Sequence, residues 1–159
     1  MSLAQESIMP NSFIRYAFLS ITLSAFAAGC TADFAQVLED YKKQSNLSFT
    51  DCGQGGLPWN CDEKLLTQAI KVRACLLDAF GSCKAAQASF YFGTTEGDPI
   101  REAYFVVPDG KGSCKIDHFT DSTQDTYSDR KVTHDECKTI SEFKCGSVMP
   151  DECNLVEEF

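Results

Sequence analysis

The chain has 159 residues, 43% of them hydrophobic and 23% charged, which suits one domain with a single core and argues against wholesale disorder. Its 14 Lys and Arg against 23 Asp and Glu give a formal net charge of -9. Residues 1–29 hold one Glu (Glu6) and one Arg (Arg15), so the remainder is as acidic as the whole; that field disfavours nucleic acid and anionic headgroups, and leaves solubility or a cationic partner as its use.

From Tyr16 to Ala28 the chain reads YAFLSITLSAFAA, an uncharged run preceded by Arg15. A membrane-spanning helix needs about 20 apolar residues, so the run is expected to be the apolar region of a signal peptide over 1–29. Glu6 is out of place in a positive leader, and Met9 is an alternative start. The tetrad Ala27-Ala28-Gly29-Cys30 resembles the lipobox of bacterial lipoproteins. The resemblance implies that Cys30 is lipidated, becomes the mature N-terminus and anchors residues 30–159 on the extracytoplasmic side of the cell envelope. That family usually has Leu first in the tetrad, where Ala27 stands; cleavage by ordinary signal peptidase, and secretion, is the alternative.

Nine cysteines cannot all pair within one chain. With Cys30 carrying lipid, Cys52, Cys61, Cys75, Cys83, Cys114, Cys137, Cys145 and Cys153 remain, an even set suited to four disulfides in an oxidising compartment.

Beyond Cys30, Phe34, Val37, Leu38 and Tyr41 recur at helical spacing, with Asp33 ahead of them and Lys42 and Lys43 behind, the charge order that complements a helix dipole. A helix is expected to end near Ser45-Asn46. Residues 45–61 hold three Gly, one Pro, two Cys and Trp59, and read as a cysteine-stapled loop in which Trp59 caps the core. Asp62 is placed to cap a second helix with an apolar stripe of Leu65, Leu66, Ala69, Ile70, Leu76, Leu77 and Phe80, stopped by Gly81.

From Ala86 the pattern changes to strands, at Ser89–Gly93, Ala103–Val107 and Ser113–Phe119, with Pro108-Asp109-Gly110-Lys111-Gly112 as a hairpin connection. VTHDECKTI fits a fourth strand or a short helix, and 141–159 a looped tail fixed by cystine. The expected architecture is α+β: two N-terminal helices packed on a three- or four-stranded antiparallel sheet. Two bridges are expected, Cys114 with Cys137 to close the Asp-rich loop, and Cys145 with Cys153 to pin the tail.

Asp117, Asp121, Asp125 and Asp129 lie four apart, but they lack the alternation, glycine and terminal Glu of an EF-hand, so they read as turn-capping residues. His118 and His134 stand in no metal-ligand spacing, and they read as packing or surface residues. No Cys-x-x-Cys, Gly-x-Ser-x-Gly or phosphate-cradling loop is present, so neither a cofactor nor a catalytic residue is assigned.

The order Gly97-Asp98-Pro99-Ile100, then Asp121-Ser122-Thr123-Gln124-Asp125, then Cys137 resembles small uncharacterised domains of bacterial secreted proteins and lipoproteins. The resemblance implies export and an α+β fold, with no assigned activity. The expected function is a binding or structural module of the cell envelope. The alternatives are an inhibitor of a cationic enzyme such as a lysozyme, and a hydrolase whose site forms no motif.

Overall fold

A computed structural model describes residues 32–57, 63–93, 96 and 98–159. The signal segment, Cys30, Trp59, Cys61 and Asp62 lie outside them. The elements in chain order are α1 (Phe34–Ser45), β1 (Thr50–Leu57), α2 (Glu63–Gly81), β2 (Ala86–Gly93), β3 (Pro99–Pro108), β4 (Cys114–Asp121), β5 (Val132–Glu142), a short 3-10 turn (Lys144–Gly146) and β6 (Val148–Glu158).

The strands form one six-stranded sheet in the order β1-β2-β3-β4-β5-β6. β1 and β2 are parallel, and every later pair is antiparallel. This corrects the expected three- or four-stranded antiparallel sheet. Parallel neighbours need a crossover, and α2 supplies it, so residues 50–93 form a βαβ unit to which an antiparallel meander is joined.

The helices do not share a face either. Side chains alternate along a strand, so Tyr104, Val106 and Ile116 point to one side of the sheet, and Ala103, Phe105 and Phe119 to the other. The first side packs with Ala69, Val72, Leu76 and Ala79 of α2, together with Ala86, Ala88 and Phe90. The second side packs with Phe34, Val37, Leu38 and Tyr41 of α1, together with Val132. The sheet is therefore sandwiched between two helices.

α1 follows its sequence closely. Asp33 caps it by accepting from the Ala35 amide at 3.1 Å, and Asn46 ends it in a left-handed conformation at φ 53°. In α2 the buried stripe is centred on Ala69, Val72, Leu76 and Ala79, whereas Ile70 is exposed. Small residues at 69 and 79 let the helix lie close to the sheet.

Two segments expected to be loops are strands. β1 has the polar, glycine-rich sequence TDCGQGGL, which shows no alternation, and it is held by backbone pairing to β2 and by a disulfide from Cys52 to Cys75 of α2. The tail is β6, and VTHDECKTI lies in β5, opposite it. Nine residues of β6 and its end, Asp151–Phe159, are exposed, so burial gives no alternation by which to recognise this edge strand.

The Pro108–Gly112 connection forms as expected: Asp109 accepts from the amides of Lys111 at 2.8 Å and Ser113 at 3.0 Å, with Gly110 and Gly112 at positive φ.

The expected cross-links require correction. Cys137 is bonded to Cys153, its register partner on β6, and not to Cys114. The residue of β4 opposite Cys137 is Ile116, which leaves Cys114 two residues, roughly 7 Å, farther along its strand and out of disulfide reach. Cys145 is in a disulfide, but Cys153 is already taken, so the expected pairing of those two does not form. Cys83 and Cys114 are thiols.

Gly55 marks the closest approach of β1 to its neighbours. A Cβ there would meet the Phe90 ring at 2.7 Å and the Ala69 backbone at 3.2 Å, whereas one at Gly56 would meet nothing within 4 Å. Gly55→Ala is expected to destabilise the protein by about 1–3 kcal/mol, and Gly56→Ala by less than roughly 0.5 kcal/mol, as read from chemical unfolding midpoints.

Candidate functional site

Between α1 and the β4–β5–β6 part of the sheet lies a cleft of about 820 Å³. Val37 and Tyr41 of α1, Val107 of β3, Val156 of β6 and Phe159 give it apolar walls, and Lys115, Asp117 and His134 form its polar floor. Alternation builds that floor, because Asp117, two residues from Lys115 on β4, points to the same face as Phe119 and as His134 across the β4–β5 ladder.

Asp117 is the centre of the arrangement, with a residue exposure of only 2%. The Tyr41 hydroxyl donates to its Oδ2 at 2.5 Å, and His134 Nε2 lies 3.0 Å from its Oδ1. An ionised carboxylate only accepts, so the Nε2 of His134 carries the proton. Lys115 Nζ stands 3.5 Å from the same Oδ1 and is also paired with Glu136.

Burial pushes the Asp117 carboxyl up, but hydrogen bonds from His134 and Tyr41, with the charges of Lys115 and His134, outweigh it and hold the group below its ordinary value of 3.8. Burial, then donation to Asp117, pushes the Tyr41 hydroxyl up, so it remains a donor. Burial lowers Lys115, but its pairing with Glu136 and Asp117 raises it on balance.

Rings fix the geometry. His134 stacks on Phe119 with centroids 4.2 Å apart and planes 7° apart, and Tyr41 meets Phe119 edge-on at 4.9 Å. These contacts hold the imidazole in place while its Nε2 faces Asp117.

The other singled-out residues take structural roles. Asp121, 1% exposed, pairs with Arg101 at 2.5 Å and accepts from the Thr123 amide and hydroxyl. Asp125 accepts from the Tyr127 amide, and Asp129 lies 3.5 Å from Lys131. The four aspartates do not converge, and no group of three or more metal-ligating side chains occurs among the described residues. Asp98 accepts from the Thr126 amide and hydroxyl at 3.1 and 2.5 Å, which ties the Asp98-Pro99-Ile100 strand entry to the Asp-rich loop.

His118 faces the opposite side of the sheet from His134, stacked on Tyr104 at 4.5 Å, with Glu102 at 3.8 Å. Sequence reasoning assigned Tyr41, Lys115, Asp117 and His134 no common role. The one local signal was the Lys115–Asp117 alternation; Tyr41 and His134 are distant in sequence.

No family model, curated protein or solved structure matches the chain. The functional reading therefore rests on this geometry.

Because Asp117 is held ionised by partners that exist only in the folded protein, its contribution to stability is fully present above about pH 4 and is lost as pH falls through its lowered folded value. Asp117→Asn is expected to cost about 2–4 kcal/mol at neutral pH. The gap between wild type and variant should narrow below pH 4, as read by urea unfolding across that range.

Proposed function

We propose that this protein is a binding module of the cell envelope, tethered through lipid on Cys30, whose α1–sheet cleft takes a small amphipathic ligand. The observation that carries the binding assignment is the cleft itself: apolar walls from Val37, Val107, Val156 and Phe159 end on the preorganised Tyr41–Asp117–His134–Lys115 floor. Sites that bind small molecules combine a mostly apolar lining with a few fixed polar groups that orient the ligand, and the volume lies in their usual range.

The arrangement favours binding over hydrolysis. A His–Asp dyad serves covalent catalysis by activating a nucleophile, and the serine among the cleft's lining residues, Ser45, donates its hydroxyl proton to the Lys42 carbonyl at 2.9 Å. The full set of donors on Asp117, and its lowered pKa, suit positioning better than proton abstraction.

One observation favours a second reading, inhibition of a cationic enzyme such as a lysozyme. The edge strand β6 exposes Asp151, Glu152, Glu157 and Glu158; Glu152 and Glu158 are paired with Lys138 and Lys131, and Asp151 and Glu157 offer the charge that a basic protein surface would complement.

Tethering rests on the Ala27-Ala28-Gly29-Cys30 tetrad. No helix among the described residues is long and apolar enough to cross a membrane.

Decanoate and decylamine, which share an apolar chain and differ in the charge of the head, test the binding reading. Titration of the isotope-labelled protein should shift the amide signals of Val37, Tyr41, Val107 and His134, and Val107→Trp should weaken binding at least about tenfold by filling the cleft. Unmoved cleft signals at millimolar ligand, with lysozyme protecting β6 from hydrogen exchange, would give the inhibitor reading precedence.

Mass spectrometry of protein from the membrane fraction tests the tether. The expected N-terminal peptide starts at an acylated Cys30; a soluble chain that starts at Ala28 refutes anchoring.

A further inference from the structure

Cys83 and Cys114 are far apart in sequence, one just past α2 and one at the start of β4, yet they converge on a single backbone carbonyl. The Cys83 amide donates to the Phe80 carbonyl at 3.1 Å, and the Cys114 thiol donates to the same oxygen at 3.2 Å. Both cysteines are partly exposed, and the Phe80 carbonyl they share holds them side by side. The other described cysteines, Cys52, Cys75, Cys137, Cys145 and Cys153, are already in disulfides.

We propose that Cys83 and Cys114 form a thiol–disulfide exchange site, oxidised reversibly by low-molecular-weight disulfides, that locks the end of α2 to the β3–β4 hairpin. The order of steps follows from the hydrogen bonds. Cys114 commits its proton to the Phe80 carbonyl. Cys83 is therefore the attacking group. Its thiolate attacks one sulfur of the incoming disulfide, forms a Cys83 mixed disulfide and expels one thiolate. Cys114 gives its proton to that thiolate, attacks the Cys83 sulfur and expels the second thiolate. Two protein thiols are oxidised to one bridge, and one small disulfide is reduced to two thiols.

The attachment has structural consequences. Phe80 belongs to the core on the α2 face, and the Cys114 sulfur packs against that core. The bridge would span 83 to 114, across β2, β3 and their hairpin, and restrict the unfolded chain over that loop.

The purified full-length chain, equilibrated in mixtures of oxidised and reduced glutathione and alkylated, tests the site. Peptide mapping after cleavage at Asp78, which separates Cys83 from Cys75, should find Cys83 and Cys114 alkylated together at the reducing end and linked to each other at the oxidising end. The melting temperature should rise by on the order of 10 °C on oxidation. Cys114→Ser should trap glutathione on Cys83, and Cys83→Ser should leave Cys114 largely unmodified. The proposal is overturned if both thiols stay alkylatable in oxidised glutathione, if either is linked to a third cysteine, or if the adduct forms on Cys114 in place of Cys83. Should the variants fail to fold, the wild-type peptide map decides alone.

Discussion

A sheet whose central strands are apolar on both faces must be covered on both. β3 and β4 satisfy that condition: Tyr104, Val106 and Ile116 face one way, Ala103, Phe105 and Phe119 the other, and all are buried. At about 25 cal/mol per Å² of apolar surface, leaving either set in water would cost more than a small domain's whole margin of stability. The two helices therefore take opposite faces. Separating them requires an element between, and β1, a strand of little apolar character, allows the chain to cross from one face to the other.

The two faces are covered differently, and that difference leaves the cleft open. α2 is fastened by the Cys52–Cys75 bridge and by a row of Ala, Val and Leu that brings it close to the sheet. α1 is held by larger side chains and by one polar anchor, the Tyr41 hydroxyl on Asp117. A helix standing off on aromatic rings leaves space along its flank, and the strands under that flank end in Lys115, Asp117 and His134. The carboxylate that fastens the helix thus also organises the floor of the cleft. The same acid is costly to bury alone, which explains why three donors meet it and why, among the described residues, no buried side-chain polar atom lacks a hydrogen-bond partner.

Four exposed acidic residues lie on the last strand of the sheet, Asp151, Glu152, Glu157 and Glu158. Among the described residues β6 is an edge strand, with Leu155 and Val156 exposed beside these four acidic residues. Glu152 and Glu158 are paired with Lys138 and Lys131 of the same chain, and a dense row of charged side chains along an edge discourages a second copy from pairing with it. Cross-linking Cys137 to Cys153 secures the edge to β5 without requiring apolar burial, which β6 does not have.

What the sequence by itself determined were the features of short range. The helical spacing of Phe34, Val37, Leu38 and Tyr41 specifies α1 and its buried face, Asp109 with Gly110 and Gly112 specifies the hairpin, and aromatic alternation specifies β2, β3 and β4, because each depends on neighbours a few positions away. Tertiary structure decided the rest. TDCGQGGL and the tail become strands only because adjacent strands offer unpaired backbone groups, an influence that leaves no period in the side chains. Register decided that Cys137 meets Cys153, since a shift of two residues moves a sulfur beyond bonding range. The cleft was out of reach for the same reason: Tyr41, Asp117 and His134 converge only through the packing of a helix on two paired strands, and no local pattern encodes a meeting of residues up to 93 positions apart.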